Sequence, residues 1–326
     1  MNPRPTRIGL TYSLLALAAL AALVLSVLSG SVSLSLDQVL ASLSGQDSLA
    51  SSLIFELRLP RALTAFAAGG LLAIAGVLMQ VLLRNPLADP FVMGVSGGAA
   101  VAALSAMLLG LAGLAVDAAA ALGALLTTLT VFALAHGTGG WAPTRLLLTG
   151  IVMAAGASAV VSLLLALGDE SQLRGMLFWL MGDLSMSSRP GPLLLMFAAA
   201  LLFILPFARQ LNVLARGELQ ARVLGISVRA THMGIFIASS VLTAATVTSA
   251  GTVGFVGLVT PHLVRLLLGA DHRLVLPAAA LLGGTLVMVA DLCARVLFAP
   301  RQLPVGALTA IAGVPLFLIL MRRAGK

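Results

Sequence analysis

Gly94-Val95-Ser96-Gly97-Gly98 fits the G-x-S-x-G pattern that presents a serine hydroxyl on a tight turn, and His262 lies in an apolar segment able to reach a similar depth. The chemistry such a pair allows is that of an intramembrane serine protease. Against it, the motif is short in a chain with 33 glycines, and no evident oxyanion site completes it. The other reactive types point away from catalysis. His136, His232, His262 and His272 occupy separate segments with no i, i+4 pair and no nearby cysteine, so no metal site is expected. The single cysteine, Cys293, excludes a disulfide within the chain. The only lysine is Lys326, so the chain has no phosphate loop, which needs a lysine after its second glycine. Any nucleotide hydrolysis belongs to another polypeptide.

Charges among apolar runs are the residues hardest to explain as filler. Asp291 and Arg295 stand one helical turn apart and are expected to pair. Arg58 and Arg61 flank Pro60, either as interfacial anchors or as a basic surface that receives carboxylates from a soluble partner. In Arg84-Asn85-Pro86-Leu87-Ala88-Asp89-Pro90 two prolines four residues apart forbid one regular helix, so the chain must turn. That turn is either a well-made loop or a gate, with Asn85 and Leu87 as its polar and apolar constriction and Thr144 as a second polar candidate. His262, after Pro261, is expected to pack or cap a helix.

The elements that must position these residues are membrane spans. The composition is 60% hydrophobic and 9% charged, with mean hydropathy +1.10, which leaves no polar coat for a soluble fold. The expected fold class is an all-α polytopic membrane protein, one domain over residues 1–326. Apolar runs predict ten helices near 8–28, 62–83, 91–110, 115–135, 145–167, 192–207, 231–250, 256–269, 274–298 and 304–321. Arg4 and Arg7 precede a first run too long for a signal peptide, so it is read as an uncleaved span. With both termini on one side, Arg58, Arg61, Arg174, Arg189, Arg295 and Arg301 fall opposite, and the termini side keeps 13 of the 19 basic residues. That side is therefore cytoplasmic. The net charge of +8 does not imply nucleic acid, because its arginines are scattered singly without aromatic interleaving.

Two connectors are expected to carry short helices, one over Ser171 to Leu184 and one ending at Gly225. Five spans per half give the halves opposite orientation, so any repeat is inverted. Each half holds one Pro/Gly-broken segment, Asn85 to Gly98 and Gly251 to His262, a pointer to a transport path. Few intramembrane charges are available to couple protons, which makes a proton-coupled secondary transporter the alternative rather than the first reading.

Arg58-Leu59-Pro60-Arg61, Gly76 and Gln80, Arg84 to Pro90, Gly94 to Ala99, Gly217 to Gly225, Gly254 to His262, Asp271-His272-Arg273, Ala290 to Arg295 and Leu303-Pro304-Val305-Gly306 occur in order. In them the chain resembles the permeases of type II ABC importers for iron-siderophores, haem and vitamin B12. The resemblance implies the type II permease fold in a homodimer in the bacterial inner membrane, with two ATP-hydrolysing subunits below and a periplasmic substrate-binding protein above. It implies no cofactor and no enzymatic activity in this chain. By resemblance Arg58, Arg61 and Arg295 dock the binding protein. Gly217, Glu218, Leu219, Ala221, Arg222, Leu224 and Gly225 couple to the ATPase, and Asn85, Leu87 and Thr144 form the cytoplasmic gate. The stretches Phe91 to Ala100 and Phe178 to Leu184 lean toward the vitamin B12 type. One departure is Gln302, where similar chains often carry an acid, which puts any salt bridge relying on that acid in doubt and leaves Arg301 for the partner.

Overall fold

The computed structural model describes residues 5–30, 36–43, 48–137, 140–141, 143–185 and 189–324. Helices follow in the order α1 (Pro5–Leu28), α2 (Leu36–Leu43), α3 (Ser48–Ser52), a π-helical stretch Leu53–Arg58, α4 (Leu59–Leu82) and a 3-10 turn Pro90–Met93. After these come α5 (Val95–Leu108), α6 (Leu114–Ala135), α7 (Pro143–Leu167), α8 (Glu170–Met181), α9 (Gly191–Ile204), α10 (Ala208–Leu214) and α11 (Glu218–Val223). The chain closes with α12 (Val228–Ala250), α13 (Val256–Leu268), α14 (His272–Val296) and α15 (Val305–Ala324). His136–Gly137 and Gly140–Trp141 pair as a two-residue antiparallel ribbon between α6 and α7.

Seven of these helical runs are long and apolar enough to cross a membrane, and Val95–Leu108, Val256–Leu268 and Val305–Leu320 are shorter apolar helices. Together they fall on the ten expected spans. The third, Val95–Leu108, is shorter than the expected 91–110, while the eighth, Val256–Leu268, matches the expected 256–269 within a residue. At ~1.5 Å per residue α5 and α13 cover about 20 Å, less than a ~30 Å hydrocarbon core. The 3-10 turn Pro90–Met93 and the irregular backbone at 251–255 lengthen the crossings, with Pro90, Met93, Gly251 and Val253 buried inside protein. That is the setting in which non-helical backbone survives at membrane depth.

The core is α4, buried over almost its whole length between α9, α12, α13 and α14. Small residues permit this. A β-carbon on Gly69 would lie 2.1 Å from the Gly283 carbonyl oxygen, and one on Gly76 would lie 1.9 Å from that of Gly257. Backbones approach this closely only where no side chain intervenes. Gly94 to Gly98 serves the same end. A β-carbon on Gly98 would meet Thr127 Oγ1 at 1.8 Å and one on Gly97 the Ala157 β-carbon at 2.8 Å, so α5 is wedged between α6 and α7.

The second span starts ahead of the residue 62 expected from the sequence. The helix begins earlier and widens into the π stretch, where the Leu59 N–H donates to the Ile54 carbonyl. Pro60 has no N–H to give an α-helical bond to Glu56, and the wider turn accommodates that loss.

Candidate functional site

The functional candidates gather at the two ends of the bundle. At the first end, three arginines converge on the last turn of α1 and on Asp291. Arg61 Nε donates to Asp291 Oδ1 at 2.8 Å and Arg295 Nε to Asp291 Oδ2 at 3.0 Å. Arg295 Nη1 also reaches the Ser26 and Ser29 carbonyls, each at 3.2 Å, and Arg58 Nη1 those of Val27 and Leu28 at 2.9 and 3.0 Å. The last carbonyls of a helix have no partner within it and carry partial negative charge, so guanidiniums are a favourable cap. The Asp291–Arg295 pair expected from spacing is present. Arg58, Arg61 and Arg295 are only 6, 7 and 6% exposed, so Arg58 and Arg61 turn inward and do not form the open basic surface that was one of their two readings. Two guanidiniums, Arg61 and Arg295, share the Asp291 carboxylate, while Arg58 caps the end of α1.

Gln302 Oε1 accepts from Arg61 Nη1 at 3.2 Å, so the neutral amide takes up the acceptor role left by the missing acid. Arg301 is exposed beside it. A cavity of about 460 Å³ adjoins this cluster, lined by Leu173, Leu177, Phe178, Met181, Leu303 and Pro304 together with Glu170, Arg174 and Gln302. The surface helix expected over 171–184 is α8, and its Arg174 guanidinium stands 5.8 Å from the centre of the Phe178 ring.

At the opposite end α4 stops in a Schellman motif. The Asn85 N–H reaches the Gln80 carbonyl at 3.2 Å and the Arg84 N–H that of Val81 at 3.3 Å. Arg84 occupies the left-handed position, φ 47°, that usually falls to glycine. A side chain there costs about 1 kcal/mol. The turn beyond is braced by its own side chains, with Asn85 Oδ1 accepting from the Leu87 N–H at 2.9 Å and Asp89 Oδ1 from the Phe91 N–H at 2.8 Å. Burial pushes the Asp89 carboxyl up to about 6, against the pull of the Phe91 N–H. Asn85, Leu87 and Thr144 are exposed, and among the described residues no hydrogen bond joins Thr144 to Asn85.

Behind the turn, Gln80 reaches across to α13. Pro261 has no N–H for the Gly257 carbonyl four residues before it, and Gln80 Nε2 lies 3.4 Å from that oxygen and from the Leu258 carbonyl. Arg265 Nη1 in turn donates to Gln80 Oε1. Pro90 packs on Gly257, so the two broken segments meet. His262 is a half-buried packing residue within α13, not a cap, and among the described residues no hydrogen bond joins it to Ser96. The nucleophile reading therefore loses its base.

The helix expected to end at Gly225 is α11, flanked by Gly217 at φ 132° and Gly225 at φ 77°. Ala221 is its buried face, while Leu219, Val223 and Leu224 are 78, 79 and 67% exposed. Glu218 Oε1 lies 3.2 Å from Arg84 Nη2, and its Oε2 lies 3.5 Å from Arg222 Nη2. Nearby, Asn212 Nδ2 donates to Asp271 Oδ1 at 2.7 Å and Asn212 Oδ1 accepts from the His272 N–H at 2.8 Å, tying α10 to α14. The sequence brought out the turn and the short helix separately; their junction at Arg84–Glu218 was missed, since 134 residues separate the pair. Gln80 carried a signal, an amide inside an apolar run, but its acceptor was not readable.

A ten-crossing bundle whose two broken segments meet, with a braced turn and an exposed apolar helix at one end, is the architecture of a membrane translocation protein. The model of the FecCD transport family matches residues 17–323. The chain is 38% identical over 276 residues to the hemin transport system permease protein HmuU of Yersinia pestis, covering 82% of each chain. It is 39% identical over 288 residues to the vitamin B12 import system permease protein BtuC of Vibrio cholerae, covering 87% of each. A solved metal-chelate type ABC transporter in an inward-facing conformation superposes with a TM-score of 0.85 at 33% identity, over 97% of this chain and 99% of that one. The chain belongs to the FecCD transport family, as a permease of ATP-binding-cassette importers. The protease and secondary-transporter alternatives fall with that finding.

Proposed function

We propose that two copies of this chain form the membrane path of an importer that carries a bulky metal chelate, of the haem or corrinoid kind, into the cytoplasm. Separate ATPase subunits drive it. The observation that carries this reading is α11. A six-residue helix showing Leu219, Val223 and Leu224 at the end of the bundle, beside Arg84, is a docking surface for a soluble protein rather than for lipid. Gly217 and Gly225 set its ends, Ala221 anchors it, and Glu218 and Arg222 fix its orientation.

The excess of basic residues on the α11 side supports a cytoplasmic assignment for that end and for both termini. The opposite end then receives a periplasmic binding protein. Arg61 and Arg295 serve it chiefly through the positive charge left when two guanidiniums share the Asp291 carboxylate, which draws acidic lobes of the partner toward this face, with Arg58 beside them on the end of α1. The cavity beside α8 opens on the same face. α7 is almost wholly uncovered, with Val152, Ala155, Gly156 and Ala159 exposed and open space at Gly156, which supports a second copy across an axis lined by α7. Asn85, Leu87 and Thr144 would close that axis at the cytoplasmic end.

The test is capture of the ATPase. Co-expressed with the ATPase encoded beside it, the chain should purify as a complex of two permeases and two ATPases, and Leu219→Asp with Leu224→Asp should release the ATPase while leaving the permease folded. A permease recovered alone, or a variant that still retains the ATPase, overturns the proposal.

A further inference from the structure

We propose that Arg84 is a positioning residue that couples the gate turn to α11, an inference that rests on the permease function proposed above. The left-handed end of α4 favours glycine, yet an arginine stands there with its guanidinium on Glu218. The backbone motif does not need that side chain. What the arginine adds is the one link described between the 84–90 turn and α11, at 3.2 Å across 134 residues of sequence.

The two parts it joins suit transmission of motion. α11 has six residues between glycines at φ 132° and 77°, too short to hold its own position, so whatever docks on its apolar face can shift it. The 84–90 turn is internally braced by Asn85 Oδ1 on the Leu87 N–H and Asp89 Oδ1 on the Phe91 N–H, so it moves as a unit. A displacement of Glu218 pulls on Arg84, and Asn85 and Leu87 follow. Arg222, on the other carboxylate oxygen at 3.5 Å, keeps Glu218 aimed at the turn. The Arg84–Glu218 pair is partly exposed, the Arg84 side chain at 45% and that of Glu218 at 27%.

The experiment uses the permease–ATPase complex with Cys293→Ser and Leu87→Cys, the introduced thiol carrying an environment-sensitive fluorophore. The emission change on adding ATP with vanadate reports movement of the turn. Arg84→Gly relieves the backbone and removes the link. It should leave ATPase capture intact and the melting midpoint equal or higher, while the ATP-driven emission change falls about two- to fivefold, the range of an exposed ion pair. Arg84→Lys should recover most of the change. In whatever complex it forms, Glu218→Gln should lower the emission change as far as Arg84→Gly does, and the double variant should lower it no further than either alone. Arg216→Gln, a neighbouring charge outside the link, should change nothing. An undiminished response in Arg84→Gly, or additive losses in the double variant, overturns the inference and leaves the permease reading standing. A wild-type complex that forms but shows no nucleotide-driven change overturns the coupling itself, and failure to form a complex overturns the permease reading with it.

Discussion

Replacing Asp291 by asparagine keeps the side chain's shape and removes one charge from the most buried ionic group in the bundle. Asp291 is wholly buried and each of its oxygens accepts from a different guanidinium, Arg61 at 2.8 Å and Arg295 at 3.0 Å. In the variant one oxygen remains for one arginine, and the new amide N–H₂ faces the other arginine's N–H, donor against donor. Two buried cations then lack a counter-charge. Breaking a buried pair in this way costs about 3–5 kcal/mol. For comparison, Gln302→Ala removes one 3.2 Å bond made by an exposed amide and should cost about 0.5–1 kcal/mol. Cys293 is the chain's single thiol, in the same helix, so a thiol-reactive fluorogenic dye can follow unfolding in detergent. Asp291→Asn should lower the melting midpoint by about 5–10 °C, and Gln302→Ala by about 1–2 °C. Equal midpoints for Asp291→Asn and wild type would show that the cluster is hydrated and that the burial argument is wrong.

Other perturbations address other parts of the bundle. Gly76→Ala places a methyl 1.9 Å from the Gly257 carbonyl oxygen and should destabilise by about 2 kcal/mol or more, whereas Gly234→Ala, with open space around it, should be neutral or stabilising; thermal melts that rank them otherwise contradict the packing. The Asp89 carboxyl, raised from 3.8 to about 6, favours the folded state when protonated. That contribution is present below about pH 4 and is lost as pH rises through 6. Asp89→Asn keeps an acceptor for the Phe91 N–H, so its melting midpoint should match wild type near pH 4 and exceed it at pH 7, and a constant difference across that range refutes the assignment. Gln80→Leu leaves the Gly257 carbonyl and the Arg265 guanidinium without their shared partner and should cost about 2–4 kcal/mol, again read as a melting shift.

The ten spans were legible because a bilayer demands long apolar runs, and no other pattern explains so many of them. The Asp291–Arg295 pair was legible because i, i+4 spacing puts both groups on one helix face. α8 and α11 announced themselves by polar and glycine boundaries. The short α13 was legible from the Gly/Pro-rich stretch ahead of it. The shortness of α5 was not visible, since its apolar run continues back through the 3-10 turn Pro90–Met93. Nor was the inward turn of Arg58 and Arg295. Their acceptors are carbonyls at the end of α1, and no side-chain type marks a helix end that needs capping from 31 and 269 residues away. Gln80 is the same case: its task follows from the N–H that Pro261 lacks, a deficit only packing reveals.

As proposed, ATPase subunits act on α11, α11 on the 84–90 turn and the turn on the path as one mechanical chain, and the alternative of ion coupling predicts none of it. Uptake of hemin and of vitamin B12, measured separately in proteoliposomes, tests this most directly. One of the two should accumulate only when the ATPase, ATP and the binding protein are all present, and should stop when any is withheld. Uptake that persists without the ATPase and responds to a proton gradient would contradict the account.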